Sequence, residues 1–248
     1  MPTTDDLADD LATAVRGADV FAVYQPQVSL ESGSIVAAEA LCRWRHPRLG
    51  DIDPATMIGV AERSGAIHAL GRRMLDDCLD TLAGWRETGR DWAVAVNVSP
   101  MQFSDESFAH HVAAELGRRE FAPGALVLEL TQDSHPVDER VVLPQLRMLR
   151  EVGAEISLAG YGASSSSLDH LRSAPLTEVK LPGELVRSAA GPALDALRDS
   201  VQVAHAHGLR VVAEGIETLS HLDIAVQLGC DRAQGFLIRH PDSEIVFP

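Results

Sequence analysis

Glu39 and Arg43 lie in "AEALCRW", Asn97 in "AVAVNVS", Glu129 in "LVLELTQ" and Lys180 in "TEVKL"; Glu214 with Glu217 follows in "VVAEGIE" and Gln234 in "RAQGFLI". Each is an ionisable or amide side chain set into, or just after, a short apolar run rich in β-branched residues. Such a group is costly to bury unless it is paired, hydrogen-bonded or bound to a metal. Three acids and an amide make the oxygen-rich ligand set of a hard divalent cation. A lysine beside that set could position or activate a water, and an arginine could hold a phosphate. One run departs from the pattern. "EISLAG" ends in Ala159 and Gly160, then passes through Tyr161 and Gly162 into the serines Ser164 to Ser167, with no group for chemistry.

These residues can meet only if their strands end on one surface. About eight β-rich runs alternate with helix-like stretches, the rhythm and size of a closed α/β barrel. In a barrel all the C-terminal strand ends open on one mouth, where active sites sit. The first two runs are joined by "SLESGS", too short for a helical crossover, which predicts an antiparallel hairpin. The expectation is an α/β protein, a single modified TIM-like (β/α)8 barrel with an antiparallel first strand. Residues 19–248 would form the barrel and 1–18 a lead-in. That lead-in carries a short helix over 5–16, marked by Leu7, Leu11 and Val15 and capped by Thr3 or Thr4. Residues 54–85 read as a single helical stretch, and Gly153, Gly208 and Gly229 as helix-ending caps.

Composition narrows the functional classes. The net charge of −15 and an aromatic content of 4% argue against a nucleic-acid polymer as partner. No run approaches a membrane span, and the acidic start is not a signal peptide. Cys42, Cys78 and Cys230 have no CxxC spacing and suit a reducing, cytoplasmic setting; there the "NVS" sequon at Asn97 carries little weight. His205 and His207 suit a helix C-terminus, and His110 with His111 a solvated face. "GYG" lacks the later glycine of a dinucleotide fingerprint, and no GxSxG, Walker or HExxH sequence is present.

The polar strand ends carry a recognisable pattern. "VYQPQVSLESGSIVAAEALCRWRHPRLGDIDP", with Glu39-Ala40-Leu41 at its centre, resembles the opening of the EAL family of bacterial cyclic di-GMP phosphodiesterases. "VNVS" at 96–99, "LELT" at 128–131, "VK" at 179–180, "VVAEGIET" at 211–218 and "LGCDRAQGFL" at 228–237 extend the match to most of the chain. The resemblance implies that Glu39, Asn97 and Glu129 are metal ligands, for magnesium or manganese. It implies that Glu214 belongs to the metal and water network and that Lys180 orients the attacking water. Gln25, Leu41, Arg43 and Gln234, with Glu39, would contact the nucleotide.

Departures from the family pattern bear on activity. The segment resembling the family's "DDFGTGYSSL" reads "AGYGASSSSL", so Ala159 and Gly160 replace two aspartates that serve both metal positions. Gln132 replaces a glutamate, Pro182 the aspartate after Lys180, and Ser165 an aromatic. Two-metal phosphodiester cleavage needs both cations to activate one oxygen and stabilise the other. Lys180 and Glu214, and the metal ligands Glu39, Asn97 and Glu129, would then be vestigial.

Three readings stand: a non-catalytic cyclic di-GMP receptor, a nucleotide-independent protein-interaction module, and a residual phosphodiesterase. Only the third calls for magnesium or manganese; the others need no cofactor. A protein partner and a homodimer are expected alongside the nucleotide. The serines fit a helix cap better than a phosphate site.

Overall fold

The computed structural model describes residues 4–130, 138–162 and 174–245. Strand β1 (Val20–Ser29) turns back into β2 (Ile35–His46) as an antiparallel hairpin with Gln25 opposite Glu39. A three-residue strand, β3 (Gly50–Ile52), pairs on β2 as an appendage absent from the sequence reading. The remaining strands are β4 (Ala93–Val98), β5 (Leu126–Leu130), β6 (Glu155–Leu158), β7 (Glu178–Leu181), β8 (Arg210–Ala213) and β9 (Arg232–Gln234). They run in the order β1-β9-β8-β7-β6-β5-β4-β2-β3, and the β1–β2 pairing closes eight of the nine into a barrel. β1 is antiparallel to both neighbours, whereas β2 and β4 through β9 pair in parallel. The barrel with one antiparallel strand is the fold that the alternating runs imply.

Helices cover the outer face: α1 (Thr4–Ala14), α2 (Pro54–Ser64), α3 (Ile67–Glu87), α4 (Ser107–Arg119), α5 (Glu139–Glu151), α6 (Gly183–Ser188), α7 (Pro192–Ala206) and α8 (Leu219–Leu228). The stretch 54–85 is not one helix. Gly65, at φ 76°, ends α2 in the left-handed conformation that glycine adopts at least cost. Asp53 starts that helix by accepting from Thr56 N at 2.9 Å. Helix α6 and a 3-10 turn over Pro100–Phe103 were not anticipated; both are single turns too short to show periodicity. Thr4 is already helical rather than a cap before α1. Leu11, Ala14 and Val15 beside α1 are buried in the same core as Trp44, Met57 and Leu75.

Side chains at every second strand position point into the barrel, and they form two charged levels. Ala37, Ala93, Ala95 and Val127 add a small apolar cluster on β2, β4 and β5. At the lower level Arg210 Nε bonds Glu178 at 2.7 Å and its other end grips Glu155, while Arg232 reaches Glu178 at 3.4 Å. Glu178 is 1% exposed, and two guanidiniums balance the two carboxylates. The upper level, two residues further along the strands, is the mouth.

Gly235 fixes the last strand against the turn after β8. A Cβ there would stand 2.2 Å from both the nitrogen and the oxygen of Ile216. Backbone, not a flexible tip, would have to move. Gly235→Ala should therefore cost about 1–3 kcal/mol in urea unfolding, and should displace Gln234 with it. An unchanged midpoint would show that the two segments are not so tightly joined.

Candidate functional site

The mouth is built around one ammonium group. Lys180, on β7, is wholly buried, and its Nζ lies 2.7 Å from Glu39 Oε2, 2.8 Å from Glu129 Oε2 and 2.8 Å from Glu214 Oε1. Three carboxylates satisfy the three ammonium protons. Glu39 is fully engaged: Asn97 Nδ2 donates to Oε1 at 2.8 Å, and Gln234 Nε2 joins Lys180 on Oε2 at 2.8 Å. An amide chain continues from it. Gln234 Nε2 also donates to Gln25 Oε1 at 3.0 Å, and Gln27 Nε2 donates to Gln234 Oε1 at 3.0 Å.

Strand register explains this meeting of residues distant in sequence. Gln25 faces Glu39, Asn97 faces Glu129, and Gln27 faces Gln234 across neighbouring strands. Glu129 also sits opposite Ser157, whose hydroxyl is buried with no partner among the described residues.

Charge is distributed unequally among the acids. Burial opposes ionisation of Glu39, but the Lys180 charge and bonds from Lys180, Asn97 and Gln234 outweigh it and hold the carboxyl below its usual range. Burial, reinforced by the charge of Glu39, pushes Glu129 well above that range despite Lys180. Burial alone would lower Lys180; the charges of Glu129, Glu214 and Glu39 prevail and raise it. The charges of Glu39 and Lys180 thus favour each other, while burial and its acidic neighbours push Glu129 toward the neutral form.

Most of the sequence-derived site residues are brought together at the mouth. Gln25, Glu39, Leu41, Glu214 and Gln234 line one cleft of about 310 Å³, closed on one side by Phe236. Arg43 and Leu41 line the groove of about 740 Å³ that adjoins it, together with Phe236 and His240. Asn97 is exposed at the rim while bonded to Glu39. Glu217 also borders the cleft but turns outward to Arg187, 3.6 Å away, rather than joining the lysine cluster. Ala159 and Gly160 follow β6 directly, with Ala159 N bonded to Leu130 O at 2.9 Å and Gly160 at φ 76°. Pro182 stands just before α6. Gln132 and the serines, Ser165 among them, lie outside the described residues. His111 pairs with Asp76 at 2.9 Å and His205 with Asp231 at 3.0 Å, so neither is a site histidine.

Sequence reasoning missed Gln27, although it stands two residues from Gln25 in the same alternation. It also missed Phe236 and His240, whose rings stack at 4.3 Å over the groove.

Glu39, Glu129 and Glu214 offer oxygens within 4.8 Å of one another, a donor set that fits one hard cation. Ala159 and Gly160, at the end of β6, carry no side-chain oxygen.

A family model for the EAL domain matches residues 8–241, and the chain belongs to that family. It is 34% identical over 238 residues to the bifunctional diguanylate cyclase/cyclic di-GMP phosphodiesterase MucR of Pseudomonas aeruginosa, covering 95% of this chain and 35% of that protein. Against the cyclic di-GMP phosphodiesterase RocR of the same organism the identity is 31%, over 94% of this chain and 61% of RocR. The chain thus spans between about a third and three-fifths of the length of these relatives. The solved PaMucR phosphodiesterase in complex with cyclic di-GMP superimposes with a TM-score of 0.86 at 31% identity, covering 95% of this chain and 97% of that one. The EAL domain of FimX from Pseudomonas aeruginosa, bound to cyclic di-GMP, gives 0.85 over 98% of this chain and 99% of that one. At 18% identity that likeness speaks to the fold alone. Among the described residues no helix is long and apolar enough to cross a membrane.

Removing the ammonium should expose the electrostatic debt of the mouth. Lys180→Met leaves the buried Glu39 and Glu129 and the half-buried Glu214 without their cation and should cost about 3–5 kcal/mol at neutral pH. The sign with pH follows from linkage. Carboxyls whose folded pKa is raised stabilise the fold below their unfolded pKa and lose that contribution as pH rises. The variant's deficit should therefore shrink between neutral pH and about pH 4–5. In the parent, Glu39 has the opposite sign, its contribution being lost as pH falls. Urea titrations at both pH values measure this; a deficit that grows in acid would contradict the arrangement.

Proposed function

We propose that this EAL domain acts in cyclic di-GMP signalling as a nucleotide receptor rather than as a hydrolase. The observation that carries the reading is a contrast within one mouth. The wall formed by Gln25, Glu39, Leu41, Arg43 and Gln234 is complete, while the end of β6 offers only Ala159 and Gly160.

A cyclic dinucleotide presents two phosphodiester anions and two flat bases. Arg43, half-buried beside the groove, can meet a phosphate with a charged fork. Phe236, beside Leu41 and Gln25, offers an apolar face for a base. Gln25 and Gln234 supply amides already ordered by their mutual bond, so binding them costs little further entropy. Lys180 remains within its carboxylates and keeps the floor of the cleft folded without metal. To hold one magnesium or manganese ion, which would supply positive charge, Glu39, Glu129 and Glu214 would have to loosen their bonds to Lys180. The paired displacement chemistry lacks its second holder.

Titration calorimetry with cyclic di-GMP in excess chelator should show saturable binding, weakened about tenfold or more by Arg43→Ala. Incubation with magnesium or manganese should leave the dinucleotide cyclic. Absence of binding at high micromolar nucleotide would remove the receptor reading. Turnover to the linear dinucleotide, lost in Glu39→Ala, would replace it with a phosphodiesterase.

A further inference from the structure

The amides of the cleft wall differ in what they have left to give. Gln234, 4% exposed, spends both protons of its Nε2 inside the wall, on Gln25 Oε1 at 3.0 Å and on Glu39 Oε2 at 2.8 Å. Gln25 Nε2 spends one proton on Arg239 O at 3.1 Å, and among the described residues its second has no acceptor. Gln25 lines both the cleft and the groove. It is therefore the amide of this pair that can still donate to a ligand.

The hydrogen bonds behind it run one way. Gln27 Nε2 donates to Gln234 Oε1, Gln234 Nε2 to Gln25 Oε1, and Gln25 Nε2 to Arg239 O. Gln27 starts this chain from a place the ligand does not reach: it is 1% exposed and lines neither the cleft nor the groove. Register puts it there, opposite Gln234 across β1 and β9, and opposite the small side chain of Ala37 across the hairpin. The two ends of an amide have similar shape and opposite hydrogen-bonding sense. With the Gln27 proton on it, Gln234 Oε1 stays turned away from Glu39 Oε2 and Gln25 Oε1, which it would otherwise meet as acceptor against acceptor. Without that proton it is a buried oxygen lacking its partner, and the amide loosens.

We propose that Gln27 is a positioning residue of the nucleotide site. Through Gln234 it fixes the amide of Gln25, whose one unspent proton goes to a hydrogen-bond acceptor on the ligand. The ligand is the cyclic dinucleotide of the receptor reading, on which this role depends. An amide ordered before binding loses less entropy when the complex forms.

Gln27→Met keeps the length of the side chain and removes the donor. In titration calorimetry with cyclic di-GMP and excess chelator it should weaken binding about fivefold, the worth of one side chain left unordered. In a Gln25→Ala background the same substitution should cause no further loss, because the residue it acts through is gone. In nucleotide-free Gln27→Met the side-chain amide resonances of Gln25 and Gln234 should shift and broaden. Gln27→Asn, one methylene short of Gln234, should give the same three results and decides the matter if the methionine variant does not fold. Parent affinity in a folded variant, an equal loss with and without Gln25, or unmoved amide resonances would overturn the proposal; the equal loss is what a merely structural role produces. Absence of binding in the parent chain would remove the receptor reading and this role together, whereas those three outcomes remove this role alone.

Discussion

A fully buried ammonium must have its charge met, and in this barrel Lys180 is met by carboxylates from three other strands or strand ends. Those contacts, at 2.7–2.8 Å, hold β2, β5 and the turn after β8 to β7 at the mouth. The interior is therefore not an apolar plug. It is two charged levels, Lys180 with its acids above and Arg210 with Arg232 and their acids below. Each level answers its own charge, which is the condition for burying ions at all.

The same arrangement bears on function. A mouth that satisfies Glu39 with three protein donors is organised before any ligand arrives. Preorganisation of this kind favours binding, because little side-chain entropy remains to be lost. Catalysis by two metals makes a further demand, a second set of oxygens placed opposite the first. At the β6 end, alanine and glycine have no side-chain oxygen to contribute. Gly160 adds a backbone consequence. At φ 76° it occupies the left-handed region that glycine enters at least cost.

Much of this was legible in the sequence, and for a physical reason. Polar groups in apolar runs are conspicuous because burial is expensive, so Glu39, Asn97, Glu129, Lys180 and Gln234 announced themselves. Their convergence followed from barrel geometry alone. The lower network was not legible in the same way. Glu155, Glu178, Arg210 and Arg232 stand at the starts of their strands, where charge is ordinarily read as solvated loop. Only the register, which pairs Glu178 with Arg210, reveals them as interior. Glu217 misled in the opposite sense: it follows Glu214 closely, but β8 has already ended and the side chain turns outward. The helix break at Gly65 was hidden because apolar periodicity resumes immediately after it.

The receptor reading proposes a mouth that holds one cation at most while retaining the nucleotide cleft. A crystal grown with manganese and cyclic di-GMP, measured at the manganese absorption edge, tests both halves together. The account predicts nucleotide density along Arg43, Gln25 and Gln234, with no more than one anomalous peak beside Glu39, Glu129 and Glu214. Two manganese peaks about 3.5–4 Å apart, the spacing of a two-metal clamp, would contradict it.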